Sequence, residues 1–147
     1  MVKCCTSFTL LLARVLIAAL FIWLGLGKFV AWDAYSTYMA SKGMTFVPYF
    51  QVLFGAIELI CGLSLVLGYK TRLAAAVLIL YLIPVTYIFH DFWNLAEGEE
   101  KMEQIFVFLS NLAIMGGLLS LVTVGPGSWA IDRKSCSTET CCNKKVE

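Results

Sequence analysis

Arg14, Glu58 and Asn111 interrupt otherwise apolar stretches of this chain. A charge at the centre of a membrane helix costs roughly 2.5–3.5 kcal/mol on insertion scales, so such a residue needs a partner, a proton or a task. Arg14 and Glu58 carry opposite charges, and one expectation is a buried Arg14–Glu58 ion pair that fixes one helix against the next. The other is that Glu58 takes part in proton or substrate handling, with Arg14 and Asn111 along the same polar path. Further on lies Phe89-His90-Asp91-Phe92-Trp93, which holds the chain's one histidine. Histidine titrates near neutral pH and donates to a carbonyl oxygen, while an indole face packs on an apolar ring. His90, Trp93 and Lys28 are therefore the candidate outer-leaflet binding site, suited to a quinone or a proton. The plainer reading is an aromatic anchor at the membrane interface with a polar cap.

The six cysteines gather at the two ends of the chain, with Cys61 alone inside an apolar run. Cys4 and Cys5 with Cys136, Cys141 and Cys142 offer five thiols to a soft metal, but Cys-x4-Cys-Cys is not a structural zinc spacing. The alternative is a flexible tail of reduced thiols over residues 131–147. One histidine makes no metal site by itself. The sequence also lacks a haem ligand pair, a Gly-x-Gly-x-x-Gly turn and iron–sulfur cysteine spacing, so no self-contained catalytic site is read. With no basic stripe, nucleic acid is excluded as a partner.

The elements that must position these residues follow from composition. With 60% hydrophobic and 14% charged residues, the chain is too apolar for a soluble domain. Four apolar stretches, 8–26, 46–67, 73–89 and 105–124, each approach the ~20 residues that cross a hydrocarbon core. Lipid supplies no hydrogen-bond partners, so each span must be helical. The expected fold is an all-α membrane protein over residues 1–130, an antiparallel bundle of four transmembrane helices. The first stretch is too long for a signal-peptide core and is read as a retained span. Pro84 is expected to kink the third. Between the first two spans, Trp32, Tyr35, Tyr38 and Met39 recur at helical spacing. They predict a short interfacial helix, capped by Asp33 and ended by Gly43.

Lys3, Lys70, Arg72, Arg133, Lys134, Lys144 and Lys145 fall on the side that holds both termini. The positive-inside rule makes that side cytoplasmic. Small residues at Gly55, Ala56, Gly62, Ser64 and Gly68, and again at Gly116-Gly117, predict close helix approaches.

Arg14, Gly27-Lys28, Ile57-Glu58 followed by Gly62, Gly68-Tyr69-Lys70-Thr71-Arg72 with Ala74-Ala75, and Phe89-His90 together resemble the DoxX family. Asn111 with Gly116-Gly117 is similar to its last-helix pattern, although members often carry a basic residue where this chain has Ser110. The resemblance implies a four-helix protein of the bacterial inner membrane. It further implies a subunit that supports a redox or sulfur-handling complex, in which some relatives pass electrons from thiosulfate to quinone. A quinone is then the implied cofactor, and redox or sulfurtransferase proteins are the implied partners beside the lipid bilayer. A small transporter, a structural scaffold and a homo-oligomer stay open.

Overall fold

The computed structural model describes residues 2–127 and 129–132, with side chains from Phe8 onward. Those residues form α1 (Val2–Val30), α2 (Trp32–Ser41), α3 (Val47–Leu67), α4 (Thr71–Phe89) and α5 (Glu99–Val124), with one 3-10 turn at Phe92–Asn94. No strand occurs among them. α1, α3, α4 and α5 are long and apolar enough to cross a bilayer, with mean hydropathy between 2.1 and 2.3 in their spans. The cysteine pairs and basic residues expected near the termini, including Cys136, Cys141 and Cys142, lie outside the described residues, as do the side chains of Lys3, Cys4 and Cys5.

The helix ends depart from the apolar stretches in informative ways. α1 runs on to Val30 because Lys28, which ends the apolar count, is paired inside the bundle. α5 begins at Glu99 rather than Ile105, with Glu99 and Glu100 in a first turn whose unpaired N–H groups favour negative charge. Asp33 does not cap α2. Ala31 holds the cap position and Asp33 lies in the first turn. Gly43 does end that helix, with φ +77°. α4 continues unbroken through Pro84.

Neighbouring spans run antiparallel. α1 packs chiefly on α3 and α5 chiefly on α4, while α3 with α4 and α1 with α5 close the ring. Three glycines set the α1–α3 register. A Cβ on Gly25 would lie 2.9 Å from Leu59 Cγ and 3.1 Å from the Gly55 carbonyl oxygen. One on Gly55 would meet Phe29 at 2.6 Å, and one on Gly62 would meet Ile22 at 2.9 Å. Side chains there would hold the backbones apart. Gly25→Leu is therefore expected to destabilise the bundle by about 1–3 kcal/mol through overpacking, read as a lower thermal unfolding midpoint in detergent.

At the end of the bundle where α3 meets α4, the chain turns through Gly68 at φ +68°. The Gly68 and Tyr69 N–H groups bond back to the Leu65 and Ser64 carbonyls, which satisfies the helix end. Residues 129–132 lie across this turn. Ile131 and Asp132 donate their N–H groups to the Leu67 and Gly68 carbonyls, and the Asp132 carboxylate accepts from the Lys70 N–H at 2.5 Å. Arg14, fully buried, donates from Nη2 to the Trp129 carbonyl. The first residues of the expected tail thus belong to the bundle.

Arg14 does not meet Glu58, which corrects the expected ion pair. Gly25 lies beside Leu59, so Arg14, eleven positions earlier, is about 16 Å further toward the α3–α4 turn. Side-chain direction adds to this separation. Helical side chains lean toward their own N-terminus, so Arg14 leans away from Glu58, whereas Lys28 and Glu58, on antiparallel helices, lean toward each other.

Between Arg14 and Glu58 the interior is apolar. Ala18, Phe21, Leu65, Leu78, Leu118 and Leu121 are at most 1% exposed and belong to one cluster.

Candidate functional site

Above that apolar layer, Glu58 is 3% exposed and Lys28 9% exposed. Lys28 Nζ donates to Glu58 Oε1 at 2.9 Å and to Oε2 at 2.7 Å. The Tyr81 hydroxyl donates to Oε1 at 2.6 Å. α1, α3 and α4 each supply one member of this cluster, so the packing of three spans fixes its geometry. The Tyr35 ring from α2 covers the ammonium at 5.3 Å, a cation–π contact. Buried Gln51 holds the corner above it, donating from Nε2 to the carbonyls of Lys28 at 2.8 Å and Trp32 at 3.0 Å. Charge-assisted bonds in a dry interior are strong, and they offset the cost of burying both charges.

The cluster forms one wall of a cavity of about 230 Å³. His90 and Asn111 also line it. Asn111 Nδ2 donates to Thr86 Oγ1 at 3.0 Å, which leaves its amide oxygen as an acceptor. His90 Nδ1 lies 2.9 Å from Gln104 Oε1. Because that oxygen only accepts, Nδ1 carries the proton and Nε2 of the neutral ring is an acceptor. Phe21, Leu24, Phe54, Leu82 and Val85 complete an apolar lining.

Of the residues singled out from the sequence, Lys28, Glu58, His90 and Asn111 share this cavity. Arg14 lies at the other end of the bundle. Trp93 does not line the cavity. It packs outward on Tyr87, Phe92 and Phe108 and is 44% exposed. Tyr81, Gln51 and Thr86 were not singled out. Their signal was present as hydrogen-bonding groups in apolar segments, where each must find a partner.

α2 sits over the cavity at the end of the bundle away from the α3–α4 turn. Lys42 Nζ pairs with Asp91 Oδ1 at 2.5 Å, and this hydrogen bond holds the Lys42 ammonium above its ordinary pKa. Burial pushes the Tyr38 hydroxyl up. No group of His, Cys, Asp and Glu among the described residues could hold a metal ion.

The family model of DoxX matches residues 9–91, more than half of the chain. The chain belongs to the DoxX family. Among curated relatives, the DoxX-family chain is 36% identical over 124 residues to the inner membrane protein YqjF of Escherichia coli, covering 84% of this chain and 88% of that one. It is 30% identical over 125 residues to the inner membrane protein YphA of the same organism, covering 85% and 89%. A surfeit locus protein 4 homolog of Schizosaccharomyces pombe is 32% identical over 89 residues, 60% of this DoxX chain and 30% of that protein. No solved structure gives a significant match.

Proposed function

We propose that this DoxX-family membrane protein is a subunit of a redox or sulfur-handling complex of the bacterial inner membrane, binding a quinone-type ring in the cavity between Lys28–Glu58–Tyr81 and His90–Asn111. One observation carries the reading: a paired charge cluster and two further polar side chains, His90 and Asn111, line the same small, mostly apolar cavity. At about 230 Å³ it falls below the ~300–1,000 Å³ of pockets for drug-sized ligands, which suits a single ring. Asn111 and Lys28 would orient the ring oxygens, and His90, whose imidazole can both donate and accept, would supply or accept the proton that accompanies a change in ring charge.

The relatives named as inner membrane proteins support that location. Lys70 and Arg72 at the α3–α4 turn support cytoplasmic termini, because that turn lies at the same end of the bundle as residues 129–132. A transport path is disfavoured by the apolar layer beneath Glu58, and Arg14, beyond it, lines no common route. Electrons would come from a partner protein, since the described residues around the cavity offer binding and proton groups.

The test is equilibrium titration of the purified protein with a benzoquinone carrying one isoprene unit. His90→Leu and Asn111→Leu should each weaken binding by about tenfold, the loss of one hydrogen bond. Equal affinity in the wild type and both variants would overturn the site. Thiosulfate-driven quinone reduction in membranes, compared with and without the protein, tests the redox role, and unchanged rates would count against it.

A further inference from the structure

α2 is the wall of the cavity that no membrane span provides. It contributes Tyr35, Tyr38 and Met39 to the lining, and Ser36, Thr37 and Ser41 lie along the same short helix. Its two ends are held differently. At the start, Gln51 Nε2 bridges the Lys28 and Trp32 carbonyls, and Gln51 is fully buried, so this end is tied to α3. At the far end, α2 meets the end of α4 through three contacts. Lys42 pairs with Asp91 at 2.5 Å, the Tyr38 hydroxyl donates to the Phe89 carbonyl at 2.9 Å, and the two rings stack at 5.8 Å between centroids. Just beyond lies Gly43, in the left-handed region with φ +77° and with nothing within 4 Å of where its Cβ would be. A short element tied at one end, latched at the other and followed by an uncrowded glycine has the parts of a hinged lid.

We infer that α2 is a lid over the cavity, pivoting at the Gln51 corner and closed by the Lys42–Asp91 and Tyr38–Phe89 latch, and that its opening admits the ring from the headgroup layer. The ligand part rests on the proposed function; the motion does not. Closure does two things at once. It places Tyr38 and Met39 against the ligand space, and it lays the Tyr35 ring over Lys28 Nζ. Opening therefore uncovers the Lys28–Glu58 pair to water, while closure dries it and strengthens every polar contact inside.

Amide hydrogen exchange of the full chain in detergent, measured on Lys42→Glu and on the charge-swapped Lys42→Glu/Asp91→Lys, separates the two parts. The single variant sets two carboxylates face to face, so α2 amides should exchange roughly five- to tenfold faster while α3 and α4 amides keep their protection. The swap should restore wild-type exchange. Unchanged α2 exchange in the single variant, or equal acceleration in every span, would overturn the lid. In Lys42→Glu, binding of the one-isoprene benzoquinone should speed up in both directions with little change in Kd, and the swap should return both rates to wild type. Faster α2 exchange with unaltered binding rates would overturn the entry route. A wild type that binds no quinone would sink the ligand reading, and exchange alone then decides the lid.

Discussion

Lys28→Met is expected to cost about 3–5 kcal/mol, because it strands a buried carboxylate whose remaining hydrogen bond is the one from Tyr81. Glu58→Met should cost less. The Lys28 stem is long and sits in the last turn of α1, so an unpaired ammonium can snorkel toward the headgroups, whereas Glu58 has no such route. Replacing both residues by methionine should recover much of the loss, since exchanging a whole buried pair for apolar side chains is often neutral. Thermal unfolding of the four proteins in detergent gives the coupling, and a value near zero would mean that neither residue depends on the other for stability. Arg14→Met combined with Glu58→Met should be additive, because the two residues are about 16 Å apart along the bundle.

Gly68→Ala should be the most damaging single-methyl change in the fold. The position sits at φ +68°, where an L side chain costs about 1–2 kcal/mol. The added Cβ would overlap Arg14 Nη1 and lie 2.8 Å from Ala130 Cα, and overpacking of this kind costs a further 1–3 kcal/mol or about that. Relief requires residues 129–132 to lift from the turn and Arg14 to lose its bond to Trp129. The unfolding midpoint should fall, and limited proteolysis should cut the chain after α5 sooner than in the wild type. Wild-type proteolysis together with an unchanged midpoint would show that the turn tolerates the methyl group.

The four spans were legible because lipid leaves a single chain so few ways to satisfy its backbone, and an apolar stretch near 20 residues then reads as a helix. Glu58 was legible for the same reason, as a charge too expensive to leave without a role. Its partner was not. Depth counted from the ends of an apolar stretch treats each span as a separate rod, whereas the register of α1 on α3 is set by contacts at Gly25, Gly55 and Gly62. Gly55 and Gly62 were visible as small residues and Gly25 was not singled out, but which residue faces which is a property of the packed pair. Lys28 was also counted out of its span, although its pairing is what lets α1 continue to Val30. Tyr81 and Gln51 escaped notice for another reason. A hydroxyl or amide within an apolar run hardly changes its hydropathy, and only the bonds to Glu58 Oε1 and to two carbonyls reveal what each does. Trp93 drew attention through its neighbour His90, yet the 3-10 turn at Phe92–Asn94 swings its ring outward among other aromatics.

The central claim is that a quinone-type ring occupies the cavity beside Lys28, Glu58 and Tyr81. Photolabelling of membranes with an azido-benzoquinone, followed by peptide mapping, tests it most directly. Label is expected on the segments around Tyr35–Met39 and Val107–Asn111, which line the cavity, and excess one-isoprene benzoquinone should displace it. Label confined to outward-facing residues such as Phe106 and Leu119, or label that the competitor leaves in place, would contradict the account.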